Sequence, residues 1–188
     1  TQSALERFGP EAALLAGDWL ISRSIELISH YSQPGIAAFS AACMDMAEGE
    51  LMDLSAASSA DDYYQCISKK TASLFSASAK IGAMLSGAGD RDVASLESYG
   101  RHLGLGYQVL DDLEEFLGLD QGKSSMKTSV TLPRIYSGLH GKDAAAQMCI
   151  RVIEEHSLSA KDALRHSSGK DPMLRRLESI VDEMTCGG

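Results

Sequence analysis

The chain has 188 residues, 44% hydrophobic and 23% charged, with 17 Gly and 4 Pro. That is enough to bury one sizeable core, and it excludes a disordered or low-complexity chain. A formal net charge of −9 and a pI near 5.0 exclude a basic nucleic-acid surface, and any anionic substrate must be held locally by a metal ion and a few placed cations.

No run approaches 18 consecutive apolar residues, so no transmembrane segment is expected. Cys43, Cys66, Cys149 and Cys186 form no Cys-x-x-Cys pair and read as reduced thiols of a cytoplasmic protein. Thr1 to Pro10 have neither a basic nor an apolar leader segment, and no initiator Met precedes them. The whole is read as a single all-α domain, 1–188, incomplete at its N-terminus.

Pro10 opens a helix at the position where its missing N–H costs nothing. Its apolar residues Ala13, Leu14, Gly17, Leu20, Ile21, Ile25 and Ile28 run to about Tyr31, where Ser32-Gln33-Pro34-Gly35 breaks the pattern. A second helix is predicted over about 35–55, with Ile36, Phe39, Ala42, Met46, Gly49 and Leu54 inward. Asp61 and Asp62 begin a third, favoured at the positive end of the helix dipole, and it runs past Lys69-Lys70-Thr71 to Gly87.

The next helix, about 91–117, carries the chemistry. Val93, Leu96, Tyr99, Leu103, Tyr107, Leu110, Leu113 and Leu117 recur at helical spacing, while Gln108, Asp111, Asp112 and Glu115 fall on one stripe at i, i+3, i+4 and i+7. Carboxylates one turn apart repel, so the stripe asks for a cation. Mg²⁺ suits it, because that ion is commonly held by one or two carboxylates together with water and the phosphates of a substrate. Residues 119–127 read as loop. Further helices are predicted at 134–140, 142–156, 159–167 and 172–184, packing around the core. The five histidines show no ligand spacing. No alternating run with hairpin signals occurs, so the fold class is all-α, an antiparallel helical bundle.

The segment Tyr107-Gln108-Val109-Leu110-Asp111-Asp112-Leu113-Glu114-Glu115 resembles the second aspartate-rich motif of the trans-isoprenyl diphosphate synthases, Phe-Gln-x-x-Asp-Asp-x-x-Asp. Lys70-Thr71-Ala72-Ser73-Leu74-Phe75 resembles the family's Lys-Thr-Ala-x-Leu-Phe. Ala13 to Leu20 is similar to its Ala-x-Leu-x-Gly-Asp-x-Leu, and Gly49-Glu50 to its Gly-Glu. The family's first aspartate-rich motif and the Arg pair beside it are absent. Gly122-Lys123 and Thr131-Leu132-Pro133 match the family's lid segment, but Ser129 stands where the family has Lys, and an intervening Asp is missing.

The resemblance implies the isoprenoid synthase type of bundle and a head-to-tail prenyltransferase joining isopentenyl diphosphate to an allylic diphosphate. It implies Mg²⁺ on Asp111 and Asp112 with Glu115 assisting. Lys70, Lys123 and Lys127 would hold diphosphate, Thr71 and Gln108 would line the allylic cation, and the protein would be a homodimer. The alternative is a non-catalytic partner subunit or relic of the same family, inactive alone. A carboxylate-bridged di-iron bundle is disfavoured, since no Glu here has His three residues later.

Overall fold

The computed structural model describes residues 3–55, 59–119, 130–167 and 172–186. Among these the chain is helical and contains no strand: α1 (Ala4–Phe8), α2 (Pro10–Ser29), α3 (Gln33–Leu54), α4 (Ala60–Ile67), α5 (Ser73–Leu85), α6 (Asp90–Leu117), α7 (Leu132–His140), α8 (Lys142–Arg165) and α9 (Pro172–Cys186). Local signals set the ends. Ser32 and Ser59 cap α3 and α4 by accepting from the backbone N–H of Gly35 and Asp62, and Gly118, at φ 74°, takes the left-handed conformation that stops α6.

α6 is the central element, packed most extensively against α5 on one side and α8 on the other. The main core gathers Tyr63 and Ile67 of α4, Leu103, Val109 and Leu113 of α6, Leu132 of α7, Cys149 and Ile153 of α8, and Val181 of α9. A second, smaller cluster joins Ala42 of α3 to Ala77 and Ile81 of α5. Small residues let the helices approach closely. At Gly104 an added Cβ would lie 2.8 Å from the Ala72 Cα.

Two expectations are corrected. The helix expected to begin at Asp61 is interrupted by a π-helical turn, Ser68–Ala72, between α4 and α5. The extra residue leaves the apolar spacing on either side intact, which is why the pattern alone reads as one helix. The helices expected at 142–156 and 159–167 are one element, α8. The Ser157-Leu158-Ser159 stretch does not break it, because Ser157 is buried and its hydroxyl donates to the Ile153 carbonyl within the helix.

The apolar residues of α2 contribute little to the core, Ile28 alone among them packing against the smaller cluster. None of that helix is buried, Leu14 is 67% exposed and Trp19 is 64% exposed. No described helix is long and apolar enough to cross a membrane. Cys43, Cys66 and Cys149 are free thiols.

Candidate functional site

The site lies where the π turn meets the C-terminal half of α6. Within that turn Thr71 faces α6 and Lys70 faces α3. Thr71 Oγ1 donates to Gln108 Oε1 at 2.7 Å, across the interface with α6. Gln108 Nε2 in turn donates to Asp112 Oδ1 at 3.0 Å, one turn further along α6. The second oxygen of the same carboxylate accepts from the Tyr63 hydroxyl at 2.7 Å. Thr71, Gln108, Asp112 and Tyr63 therefore form one continuous relay from a partly exposed hydroxyl to a buried phenol.

Lys70 is anchored from the other side. Its ammonium donates to Asp53 Oδ2 at 2.6 Å and forms an ion pair with Glu50 Oε2 at 2.8 Å, both on α3. Burial works against its charge, but the bonds from Asp53 and Glu50 outweigh that cost, and the lysine is held above its ordinary pKa. An ammonium has three N–H donors, so one direction remains available for an anionic ligand. The approach of α3 depends on Gly49, where a Cβ would overlap the Lys70 backbone, 2.7 Å from its Cα. The Cys66 thiol donates to the Gly49 carbonyl at 3.3 Å, and burial pushes that thiol's pKa up, so it stays protonated as a donor.

The acidic stripe is not uniform. Asp111 and Glu115 are partly exposed, and Glu115 pairs with Arg134 of α7 at 3.5 Å. Asp112 is only 4% exposed, and both its oxygens already accept hydrogen bonds. Among the described residues no three His, Cys, Asp or Glu side chains are grouped to hold a metal ion by themselves. The donor set suits Mg²⁺ in one way: one or two α6 carboxylates, with phosphate and water completing the shell.

The structure thus brings together Lys70, Thr71, Gln108 and Asp112, with Asp111 and Glu115 beside them. Lys123 and Lys127 lie outside the described residues. Sequence reading missed Tyr63, Asp53 and Arg134. Asp53 follows Glu50 by three residues on one helix face, a usable signal, whereas Tyr63 meets Asp112 across 49 residues and nothing local announces it. Glu50 is 62% exposed along its side chain and reaches back to Lys70.

Away from this site, His102 of α6 and His156 of α8 meet with their Nδ1 atoms 3.1 Å apart. Burial, and then the neighbouring His102, pull the His156 pKa down to about 4; burial and Arg101 also lower that of His102.

The polyprenyl synthetase family model matches residues 1–166. Geranylfarnesyl diphosphate synthase of Methanosarcina mazei is 42% identical over 188 residues, covering 97% of this chain and 64% of the relative. Among solved structures, a geranyltranstransferase from Methanosarcina mazei superposes with TM-score 0.83 at 41% identity, over 100% of this chain and 65% of that one. A polyprenyl synthase from Caulobacter crescentus, complexed with calcium and isoprenyl diphosphate, shares the fold at TM-score 0.80 and 22% identity, over 97% of this chain and 68% of its own. The chain thus spans less than two thirds of the length of the curated relative.

Proposed function

The chain belongs to the polyprenyl synthetase family, and from that membership we propose a head-to-tail prenyltransferase that condenses an allylic diphosphate with isopentenyl diphosphate. The observation that carries the reading is the Thr71–Gln108 hydrogen bond of 2.7 Å, which sets two cation-lining groups side by side next to Lys70 and the α6 carboxylates. A solvated acidic face would need no such convergence.

Mg²⁺, when bound, would supply Lewis-acid charge at the diphosphate oxygens, and Asp111 and Asp112, with Glu115 assisting, are the carboxylates that would hold it. Lys70 directs its remaining N–H to a diphosphate oxygen, kept charged by Asp53 and Glu50. As the allylic C–O bond breaks, the Thr71 oxygen lies beside the carbon that becomes electron-poor. The double bond of isopentenyl diphosphate attacks that carbon, a C–C bond forms, and loss of a proton regenerates an alkene. Water must stay out because it would capture the cation. Homodimerisation belongs to the same proposal.

A second reading, a partner subunit inactive alone, is favoured by Asp112, which is buried with both carboxylate oxygens already accepting hydrogen bonds within the protein, leaving Asp111 and Glu115 as the partly exposed acids of the stripe. The two are separated by incubating the protein with Mg²⁺, radiolabelled isopentenyl diphosphate and farnesyl diphosphate. The prenyltransferase reading expects organic-extractable label that is lost with EDTA and falls about 100-fold in Asp111→Asn, the scale of removing one placed electrostatic group. No extractable label with any allylic diphosphate of ten to twenty carbons would give the subunit reading the lead.

A further inference from the structure

Direction is the unexplained property of the relay. A hydroxyl and a carboxamide each donate and accept, so a Thr–Gln pair is free to run either way. Here one end decides. A carboxylate accepting on both oxygens offers no proton, so the Gln108 amide must turn its NH₂ toward Asp112 Oδ1 and its carbonyl toward Thr71. Thr71 then spends its single proton on Gln108. Its remaining lone pairs are left for whatever lies in front of it.

Asp112 is held in that role from behind. It is only 4% exposed, and Tyr63, also 4% exposed, is its partner from a different helix. The Tyr63 hydroxyl donates to Asp112 Oδ2 at 2.7 Å and so occupies the carboxylate oxygen that Gln108 does not use. Tyr64 packs edge-on against the Tyr63 ring, with centroids 5.7 Å apart, and limits its swing.

We infer that Tyr63 is a positioning residue: by fixing the Asp112 carboxylate it sets the polarity of the Asp112–Gln108–Thr71 relay, so that Thr71 presents an oxygen with free lone pairs to an electron-poor carbon. The identity of that carbon rests on the prenyltransferase reading; the polarity does not. Reversed, the relay would aim the Thr71 proton at the same place and repel positive charge there.

The test is NMR of the Gln108 side-chain amide in the 188-residue protein labelled with ¹⁵N-glutamine, the signal assigned by its loss in Gln108→Glu. In the wild type one Nε2 proton is expected downfield and slow to exchange with water. Tyr63→Phe keeps the ring and removes the hydroxyl, and it should lower that protection about tenfold, the scale of a hydrogen bond to a charged acceptor. Asp112→Asn, whose amide can turn either way, should do the same with Tyr63 untouched, so the inference stays testable if one variant fails to fold. Unchanged Gln108 protection in a folded variant of either kind would overturn it. With substrates, Tyr63→Phe should lower kcat while leaving KM for the allylic diphosphate unchanged; a change in KM alone would overturn it. Calorimetry of the wild type with Mg²⁺ and inorganic diphosphate is the control. If no heat of binding appears, the prenyltransferase reading falls and the amide measurement still decides the role of Tyr63.

Discussion

Lys70 shows how the site keeps a charge in place. It is tied to Asp53 and Glu50 on the same helix, so replacing it by Met leaves two acids facing each other with nothing between them. Glu50 is well solvated, which limits the stability cost to about 1 kcal/mol or less. Binding of Mg²⁺–diphosphate should fall far more than the melting temperature does, a contrast that calorimetry and thermal unfolding would check side by side. The His102–His156 contact predicts a pH dependence of its own. Because His156 is held neutral to about pH 4, the unfolded chain takes up a proton from about 6.5 downward that the folded chain refuses. Stability is therefore full above pH 6.5 and declines as pH falls toward 4, by roughly 2 to 3 kcal/mol at 1.36 kcal/mol per unit. His156→Gln should flatten that part of the slope in urea unfolding at pH 7.5 and 4.5; an unchanged slope would show that the carboxylates alone set it. Neither contact is visible in the sequence. Lys70 could be singled out because its neighbours are contiguous, but the histidines lie 54 residues apart and are joined only by the packing of α6 on α8.

Among the elements, the π turn decides which way the chemistry points. Lys69, inside it, pairs with Asp45 and Glu48 of α3, while Lys70, one residue on, reaches Glu50 and Asp53 further along the same helix. Deleting Ser68 would let α4 and α5 join as a regular helix. Everything after the deletion would turn by about 100° relative to what precedes it. Helix content by far-UV circular dichroism should be retained while diphosphate binding is lost; binding that survives would mean the turn does not orient Lys70 and Thr71. Gly49→Ala attacks the same geometry from α3. The new methyl meets Lys70 backbone, which cannot swing aside, so a loss of about 2 to 3 kcal/mol is expected in denaturant unfolding. The helices themselves were legible from periodicity, α6 to within a residue at its start, because a long helix with one acidic and one apolar stripe advertises itself locally. The turn was not, since the spacing within each flanking segment stays helical and only the phase between the two changes. The split expected in α8 does not occur, because Ser157 is buried and finds its partner on the helix's own backbone.

On the scale of the molecule, the uncovered face of α2 is the outstanding liability. Leu14, Leu15, Trp19 and Leu20 stand in water together, which a protein of this size seldom tolerates. The 188-residue protein should therefore bind a hydrophobic dye such as ANS and elute above its 20.1 kDa mass. Leu15→Lys with Trp19→Lys should suppress both while leaving the Tyr63–Asp112 contact intact; a wild type that is dye-silent and monomeric would contradict the exposure. α6 is different in kind. It carries Gln108, Asp111, Asp112 and Glu115 on one side while Leu103, Val109 and Leu113 hold the main core on another. A helix with both duties leaves little room for neutral variation. Under random mutagenesis followed by selection for solubility alone, accepted substitutions should accumulate on α2 and thin out along 99–113. A lineage that lost catalysis would then still conserve much of its reactive helix, and sequence retention there would be a poor clock for when activity ended.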